Sequence, residues 1–363
     1  MISDIRGVDA NQIQAFLERS GQPRFRLNQI LNWLYVHRVQ SWEEMSNLPT
    51  ALRSELAKHF ALRLPDLQRT QGSLDTTQKF LWRLNDNALV ESVMIPANPA
   101  LYGERSDRKT LCISTQVGCA YGCRFCASGL DGWRRNLLPE EIVGQVLAAE
   151  RTTAATSKPA TPSGRAITNI VVMGMGEPMA NYDNLIKALR ILNAPWGGNI
   201  GARKITISTS GLAPQIRKLS DLQEQFGLAI SLHAGTDEVR DRIMPVNRKY
   251  PLSDLIDACE SFRDKKNRTI TLEYILISGV NDGLEQIEPL SKIAKRLKAK
   301  VNLIPYNQVD GLSWERPSID TQESFLAGLE QRGVKATLRR EKGHDIDAAC
   351  GQLRLKEEKN LTA

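Results

Sequence analysis

A chain of 363 residues with 41% hydrophobic and 25% charged side chains has the composition of an ordinary globular protein, long enough for a core domain of more than about 200 residues plus a smaller appended one. Its 48 Lys and Arg against 41 Asp and Glu permit a polyanionic partner such as RNA without requiring one. No apolar run approaches about 18 residues and no basic-then-apolar leader opens the chain, so membrane insertion and export are not expected and a cytoplasmic location is.

Residues 1 to about 60 read as a small helical module. Ile13, Phe16 and Leu17 mark a first helix that stops near Gly21, and Leu27, Ile30, Leu31 and Leu34 form the stripe of a second. Ser41-Trp42-Glu43-Glu44 has capping-box spacing for a third turn of helix, and Leu52, Leu56 and Phe60 give the apolar face of a fourth. Arg24, Arg26 and Arg38 are expected to be exposed, usually as a solvated face and otherwise as contacts to phosphate.

From Thr77 the period changes to two. Residues 79–84 and 89–95 flank Asn85-Asp86-Asn87, which predicts a β-hairpin. Glu91 stands in an otherwise apolar strand; such a glutamate generally faces solvent, but one directed into a pocket would serve as a general base. Residues 97 to 109, with a proline, a glycine and several charges, read as a loop.

Next comes Gly118-Cys119-Ala120-Tyr121-Gly122-Cys123-Arg124-Phe125-Cys126, which packs half of the six cysteines into one loop. A closed zinc site wants four ligands, so three thiolates leave a coordination position vacant; an iron-sulfur cluster held by three cysteines has the same vacancy on its fourth iron. Three buried, inert thiols are the alternative, which the loop-like glycines disfavour. In a reducing compartment, cysteines are better explained by metal binding or catalysis than by stable disulfides.

After the loop, strand and helix alternate, which indicates a parallel α/β layout. Strands are expected at 111–115, 167–173, 204–208, 227–232, 269–276, 300–304 and 334–339, with helices at Pro139–Ala149, Asp183–Leu192 and Leu252–Phe262 among them. Six βα units are too few for a closed eight-stranded barrel, so an open or partial barrel is expected, with ligands at the carboxyl ends of its strands. The Ala-, Thr-, Ser- and Pro-rich segment 151–165 reads as a surface insertion.

Several strand ends carry unusual residues: Gly174-Met175-Gly176-Glu177-Pro178, Thr209-Ser210-Gly211, Ser231-Leu232-His233 and Pro305-Tyr306-Asn307. Glycines allow a ligand close to the backbone, and Glu177 offers acceptors to an ammonium group. Cys259, on an amphipathic helix, reads as core packing. Cys112, in the first core strand, and Cys350, beyond the last, are either inert buried thiols or a pair that forms a transient disulfide during turnover.

These residues resemble the radical S-adenosylmethionine superfamily, whose C-x3-C-x2-C loop matches Cys119, Cys123 and Cys126. Within it, Phe25-Arg26 through Phe60, Val90-Glu91-Ser92-Val93-Met94-Ile95-Pro96, the stretch from Leu111 to Cys119, Gly174-Met175-Gly176-Glu177-Pro178 and Asp347-Ala348-Ala349-Cys350-Gly351-Gln352-Leu353 are similar to the adenosine-C2 RNA methyltransferases of the RlmN/Cfr family. The resemblance covers nearly the whole chain. Its exceptions are the 97–109 loop, the 151–165 insertion and the last ten residues.

The resemblance implies an α/β fold, a partial (β/α)6 radical-SAM barrel. Its parts would be an N-terminal helical RNA-binding accessory domain at 1–62, a β-hairpin linker at 63–96, a core at 97–342 and a C-terminal extension at 343–363. It implies a [4Fe-4S] cluster on Cys119, Cys123 and Cys126, and S-adenosylmethionine, two molecules per turnover, held by Gly176, Glu177, Ser208, Ser231, Leu232, His233 and Asn307. Cys350 would carry the methyl group, Glu91 would accept the C2 proton and Cys112 would resolve the covalent RNA adduct as a disulfide. Implied partners are 23S rRNA and tRNA, with a reductant for the cluster and the disulfide; a monomer is expected. Lys335, Arg339, Arg340 and Lys342 would help grip RNA backbone. C8 methylation of the same rRNA adenosine, and a non-catalytic metal-containing RNA-binding protein, are the competing readings.

Overall fold

The computed structural model describes residues 2–73, 77–97, 106, 108–130, 132–156, 165–309, 311–339, 354, 355, 357 and 358. Cys350, Arg340 and Lys342 lie outside the described residues, as does most of the 97–109 loop.

The chain opens with helices α1 (Ala10–Arg19), α2 (Phe25–Asn32) and α3 (Thr50–His59). Asp9 caps α1 through a reciprocal box with Gln12, and the stripe of α2 runs on into a wider turn at Trp33–His37. No helix forms at Ser41–Glu44. The Glu44 carboxylate does fold back onto the amides of Ser41 (3.0 Å) and Gln40 (2.8 Å), but it closes an isolated turn there. Arg38, expected at the surface, turns inward to Glu150 at 3.4 Å.

Three antiparallel strands follow: β1 (Asp66–Gly72), β2 (Gln78–Arg83) and β3 (Leu89–Pro96). The expected hairpin is thus the inner part of a meander. Its first strand, Asp-Leu-Gln-Arg-Thr-Gln-Gly, is nearly all exposed and lacks the alternation that would reveal it in the sequence. The meander extends the core sheet, because β3 pairs antiparallel with β4 (Lys109–Cys112).

Beyond β4 come β5 (Gln116–Gly118) and β6 (Trp133–Asn136), a separate two-stranded ribbon, so the strand expected at 111–115 instead starts at Lys109 and ends at Cys112, with 113–115 joining it to the ribbon. Then α4 (Pro139–Thr156), β7 (Asn169–Val172), α5 (Tyr182–Asn193), β8 (Ile205–Thr209), α6 (Ala213–Asp221), β9 (Gly227–Ser231), α7 (Asp237–Ile243), α8 (Leu252–Lys266), β10 (Thr271–Leu276), α9 (Ile287–Leu297), β11 (Lys300–Pro305), α10 (Ile319–Gln331) and β12 (Ala336–Leu338) complete the chain's regular elements. Among the described residues, β4-β7-β8-β9-β10-β11-β12 form one parallel run of six βα units and a final strand, with β12 at one end and β3 on the other rather than β12 closing onto β4. No helix among them is long and apolar enough to cross a membrane.

Strand register gives this sheet two unlike faces. Ile170, Ile205, Ile207, Leu228, Ile230, Leu272, Leu276, Val301 and Leu303 lie on one, buried at or below 1% exposure in the core that the helices cover. The paired rows of the other face hold Thr206, Ser208, Ser231, Thr271, Glu273, Asn302 and Thr337. A strand buried on both faces is usually continuously apolar; this alternation marks a polar lumen.

Helix α4 runs past the expected end at Ala149, into the segment read as an insertion. Glu150, 3% exposed, is the reason this part of the chain is anchored: its carboxylate accepts the amides of Ala166 and Ile167, both at 2.9 Å, and faces Arg38 of the helical module. Glu150→Ala would strand two buried amides and is expected to destabilise the fold by about 2–3 kcal/mol, read by denaturant unfolding, with Glu150→Gln costing less.

Candidate functional site

The segment joining β5 to β6 carries the three clustered cysteines. Gly118 (φ 75°) and Gly122 (φ 61°) take left-handed backbone, and a Cβ on Gly118 would run into the carbonyl of Gly132. The Cys119 amide donates to that carbonyl at 3.0 Å, the Cys126 amide to Cys123 O at 3.1 Å, and the Arg124 amide to Ile243 O at 3.0 Å at the end of α7. Phe125 stands edge-on to His233, ring centres 4.8 Å apart.

Cys119, Cys123 and Cys126 open onto a cavity of about 310 Å³ at the carboxyl ends of the parallel strands, where Gly176, Glu177, Ser208, Ser231, His233 and Asn307 also line the wall. Arg339, expected to grip RNA, lines it too, while Lys335 is on the exposed surface. Leu232 does not line it: its side chain is 1% exposed in the core, because the strand alternation that aims Ser231 inward aims its neighbour outward.

Gly176, at φ 95°, packs so closely that a Cβ would meet Gln116 Cβ at 2.5 Å. Gln116 Oε1 in turn accepts the Glu177 amide at 2.8 Å, which fixes the turn. The Glu177 carboxylate is 4% exposed and accepts from the amides of Met179 (2.9 Å) and Ser210 (2.7 Å). Burial raises its pKa above the usual range and those amides partly offset the rise, so a cation delivered here would favour its charged form.

His233 adopts φ 58° and its Nδ1 accepts the Ile275 amide at 3.0 Å. Burial, helped by Arg240, holds its pKa down to about 3. The ring is therefore neutral at neutral pH, with its proton on Nε2 as a donor.

Arg240 was not singled out in the sequence, where it is one arginine in a short charged helix. It is fully buried and ties the strand ends together, donating to Ser210 O (2.5 Å), Leu232 O (3.0 Å), Ser231 O (3.3 Å) and Asn247 Oδ1 (2.8 Å).

Glu91 and Cys112 do not line this cavity but share its sheet face. Val93 lies opposite Cys112 and Cys112 opposite Val171, in the row that continues to Thr206, so Glu91, two residues before Val93, is a diagonal neighbour of Cys112. Both are buried, at 3% and 5% exposure. Glu91 Oε2 is 2.9 Å from Lys79 Nζ, and its Oε1 accepts the Arg354 amide at 2.6 Å.

Residues 3–62 match the family model described as the ribosomal RNA large subunit methyltransferase N-terminal domain, and residues 113–289 match the radical SAM superfamily. The probable dual-specificity RNA methyltransferase RlmN 3 of Opitutus terrae is 54% identical over 355 residues, spanning 98% of this chain and 95% of the relative. The chain belongs to the RlmN family of radical SAM RNA methyltransferases. The dual-specificity RNA methyltransferase RlmN of Anaeromyxobacter dehalogenans is 45% identical over 96% of this chain and 91% of its own length. A radical SAM methyltransferase from Sphaerobacter thermophilus superposes with a TM-score of 0.88 at 40% identity, covering 96% of this chain and 98% of that one.

RlmN-family membership makes this chain an enzyme that acts on RNA, and the radical SAM core implies a [4Fe-4S] cluster and S-adenosylmethionine. The donors present fit that pair. Burial pushes the Cys119 thiol up to about 12 and Cys123 well above its usual value, and the other thiols add to both shifts, so three thiolates can gather here only around positive charge. Among the described residues, no three His, Cys, Asp or Glu side chains are placed to hold a single metal ion. A cluster asks less convergence, because each thiolate takes a different iron. Gly118→Ala is expected to lower iron content per chain and the brown cluster absorbance while circular dichroism stays that of the wild type.

Proposed function

We propose that this enzyme methylates C2 of an adenosine in 23S rRNA, and of the adenosine 3′ to the anticodon in some tRNAs, through a methylated Cys350. The observation that carries the reading is the shared lumen face of Glu91 and Cys112: a buried carboxylate and a buried cysteine, diagonal neighbours on the face that the cysteine-ringed cavity occupies. The printed names of the relatives, dual-specificity RNA methyltransferases, support two RNA substrates.

Cys119, Cys123 and Cys126 would hold the cluster. Glu177 would accept from the ammonium group of S-adenosylmethionine beside Gly176, with Ser208, Ser231, His233 and Asn307 along the remainder and Leu232 contributing only backbone. When bound, cluster and cofactor supply a methyl group and then a carbon radical able to take hydrogen from it, at two cofactors per turnover.

C2 of adenine is an electron-poor carbon bearing hydrogen and does not displace a methyl group as an amine would. The one-carbon unit on Cys350 sulfur therefore links to C2 and tethers the RNA. Glu91 takes the C2 proton. Cys112 thiolate sulfur attacks Cys350 sulfur, the carbon–sulfur bond breaks with its electron pair left on carbon, which takes a proton to complete the methyl group as the disulfide forms, and a reductant reopens the disulfide. Arg354, whose amide meets Glu91, stands four residues from Cys350, a separation that an extended chain spans in about 14 Å at most. To reach this depth the target base leaves its stack. Segment 1–62 grips the RNA, 63–96 links it to the core at 97–342, and 343–363 delivers Cys350; the enzyme works as a cytoplasmic monomer.

Mass spectrometry of rRNA and tRNA from a deletion strain tests the site: 2-methyladenosine is expected to vanish, and loss of 8-methyladenosine instead overturns it. Cys350→Ala is expected to abolish RNA methylation and self-methylation alike. Cys112→Ala is expected to leave RNA covalently attached, and free turnover by that variant would remove its assignment.

A further inference from the structure

Lys79 is fully buried on the lumen face of β2, opposite Val93 and so diagonal to Glu91. Burying a lysine and a glutamate together generally contributes less to stability than a well-packed apolar pair would, because both charges lose their water. The neighbours on the same face show that the site could have been apolar: Leu81, directly opposite Glu91, and Leu89 are at or below 4% exposure and pack together. The ammonium lies 2.9 Å from Glu91 Oε2 while the Arg354 amide takes Oε1 at 2.6 Å, so two donors on two oxygens set the plane of the carboxylate. Cys112 is the thiol nearest along the row, and the Arg354 guanidinium is engaged by Glu358 at 2.7 Å.

We propose that Lys79 is a positioning residue for proton removal, holding the Glu91 carboxylate aimed into the lumen until the RNA adduct forms. The proposal rests on the reading of Glu91 as proton acceptor. In the step concerned, the C2–H bond breaks, the proton goes to a Glu91 oxygen and the electron pair stays in the adenine ring. Lys79 touches neither RNA nor cofactor in this role and acts only through Glu91.

The test uses the full-length, cluster-loaded enzyme with an rRNA fragment containing the target adenosine. Lys79→Met keeps the aliphatic stem, Lys79→Arg keeps the charge, and Glu91→Gln is the control. The readouts are the protein–RNA conjugate on a denaturing gel and the rate of methylated RNA release. Lys79→Met is expected to slow release about 100-fold, the lower end of what a positioned base contributes, while the conjugate accumulates. Lys79→Arg is expected to recover most of that loss. Release by Lys79→Met at the wild-type rate, or its loss without conjugate, overturns the proposal. Should Lys79→Met fail to load its cluster, Lys79→Gln is judged by the same two readouts. Absence of conjugate with Glu91→Gln overturns the role of Glu91 itself, and is distinguished from failure of Lys79 alone, where Glu91→Gln accumulates conjugate and Lys79→Met does not.

Discussion

The period-two register of the sheet is the constraint on which the rest depends. Successive residues face opposite ways, so Ile205 and Ile207 seal the helix layer while Thr206 and Ser208 enter the lumen. Slipping one strand by a single residue would expose its isoleucines to the lumen and bury its hydroxyls under helices. The same register runs through the antiparallel junction of β3 with β4, which is how Glu91, from a segment outside the radical SAM match, joins Cys112 on the lumen face.

A polar lumen needs its strand ends held, since the loops there have little apolar surface of their own. Arg240 does this with one planar guanidinium that reaches carbonyls after β8 and β9 at once. Gln116 and Ser114 do it on the other side: Gln116 accepts the Glu177 amide, and Ser114 Oγ accepts the Met175 amide at 2.9 Å while donating to Glu91 O at 2.7 Å. The cofactor wall and the strand bearing the proposed base are thereby joined through one serine.

Three buried charged groups lie where chemistry is proposed. Glu177, Glu91 and Lys79 are each at or below 4% exposure, and each carboxylate is met by backbone amides as well. Such groups are unfavourable in a dry interior unless several donors converge on them. The meander, the ribbon and the C-terminal residues Arg354, Glu357 and Glu358 all close on this region: Arg69 of β1 pairs with Glu357, and Arg134 of β6 with Glu358.

Local patterns in the sequence determined the fold class, the alternation of strand and helix and the resemblance to a radical SAM RNA methyltransferase, since periodicity and motif spacing are properties of short stretches. They also marked Cys119, Cys123 and Cys126 as one loop and Gly176-Glu177 as a turn. They missed β1, whose exposed polar residues carry no period, and read Arg38 as exposed when its partner Glu150 lies 112 residues away. Only the tertiary structure decided that Leu232 leaves the cavity, that Arg240 ties two strand ends, and that Lys79 meets Glu91. Those are facts of register and long-range contact, set by which strands pair and how their faces align, and no single stretch of the chain contains them.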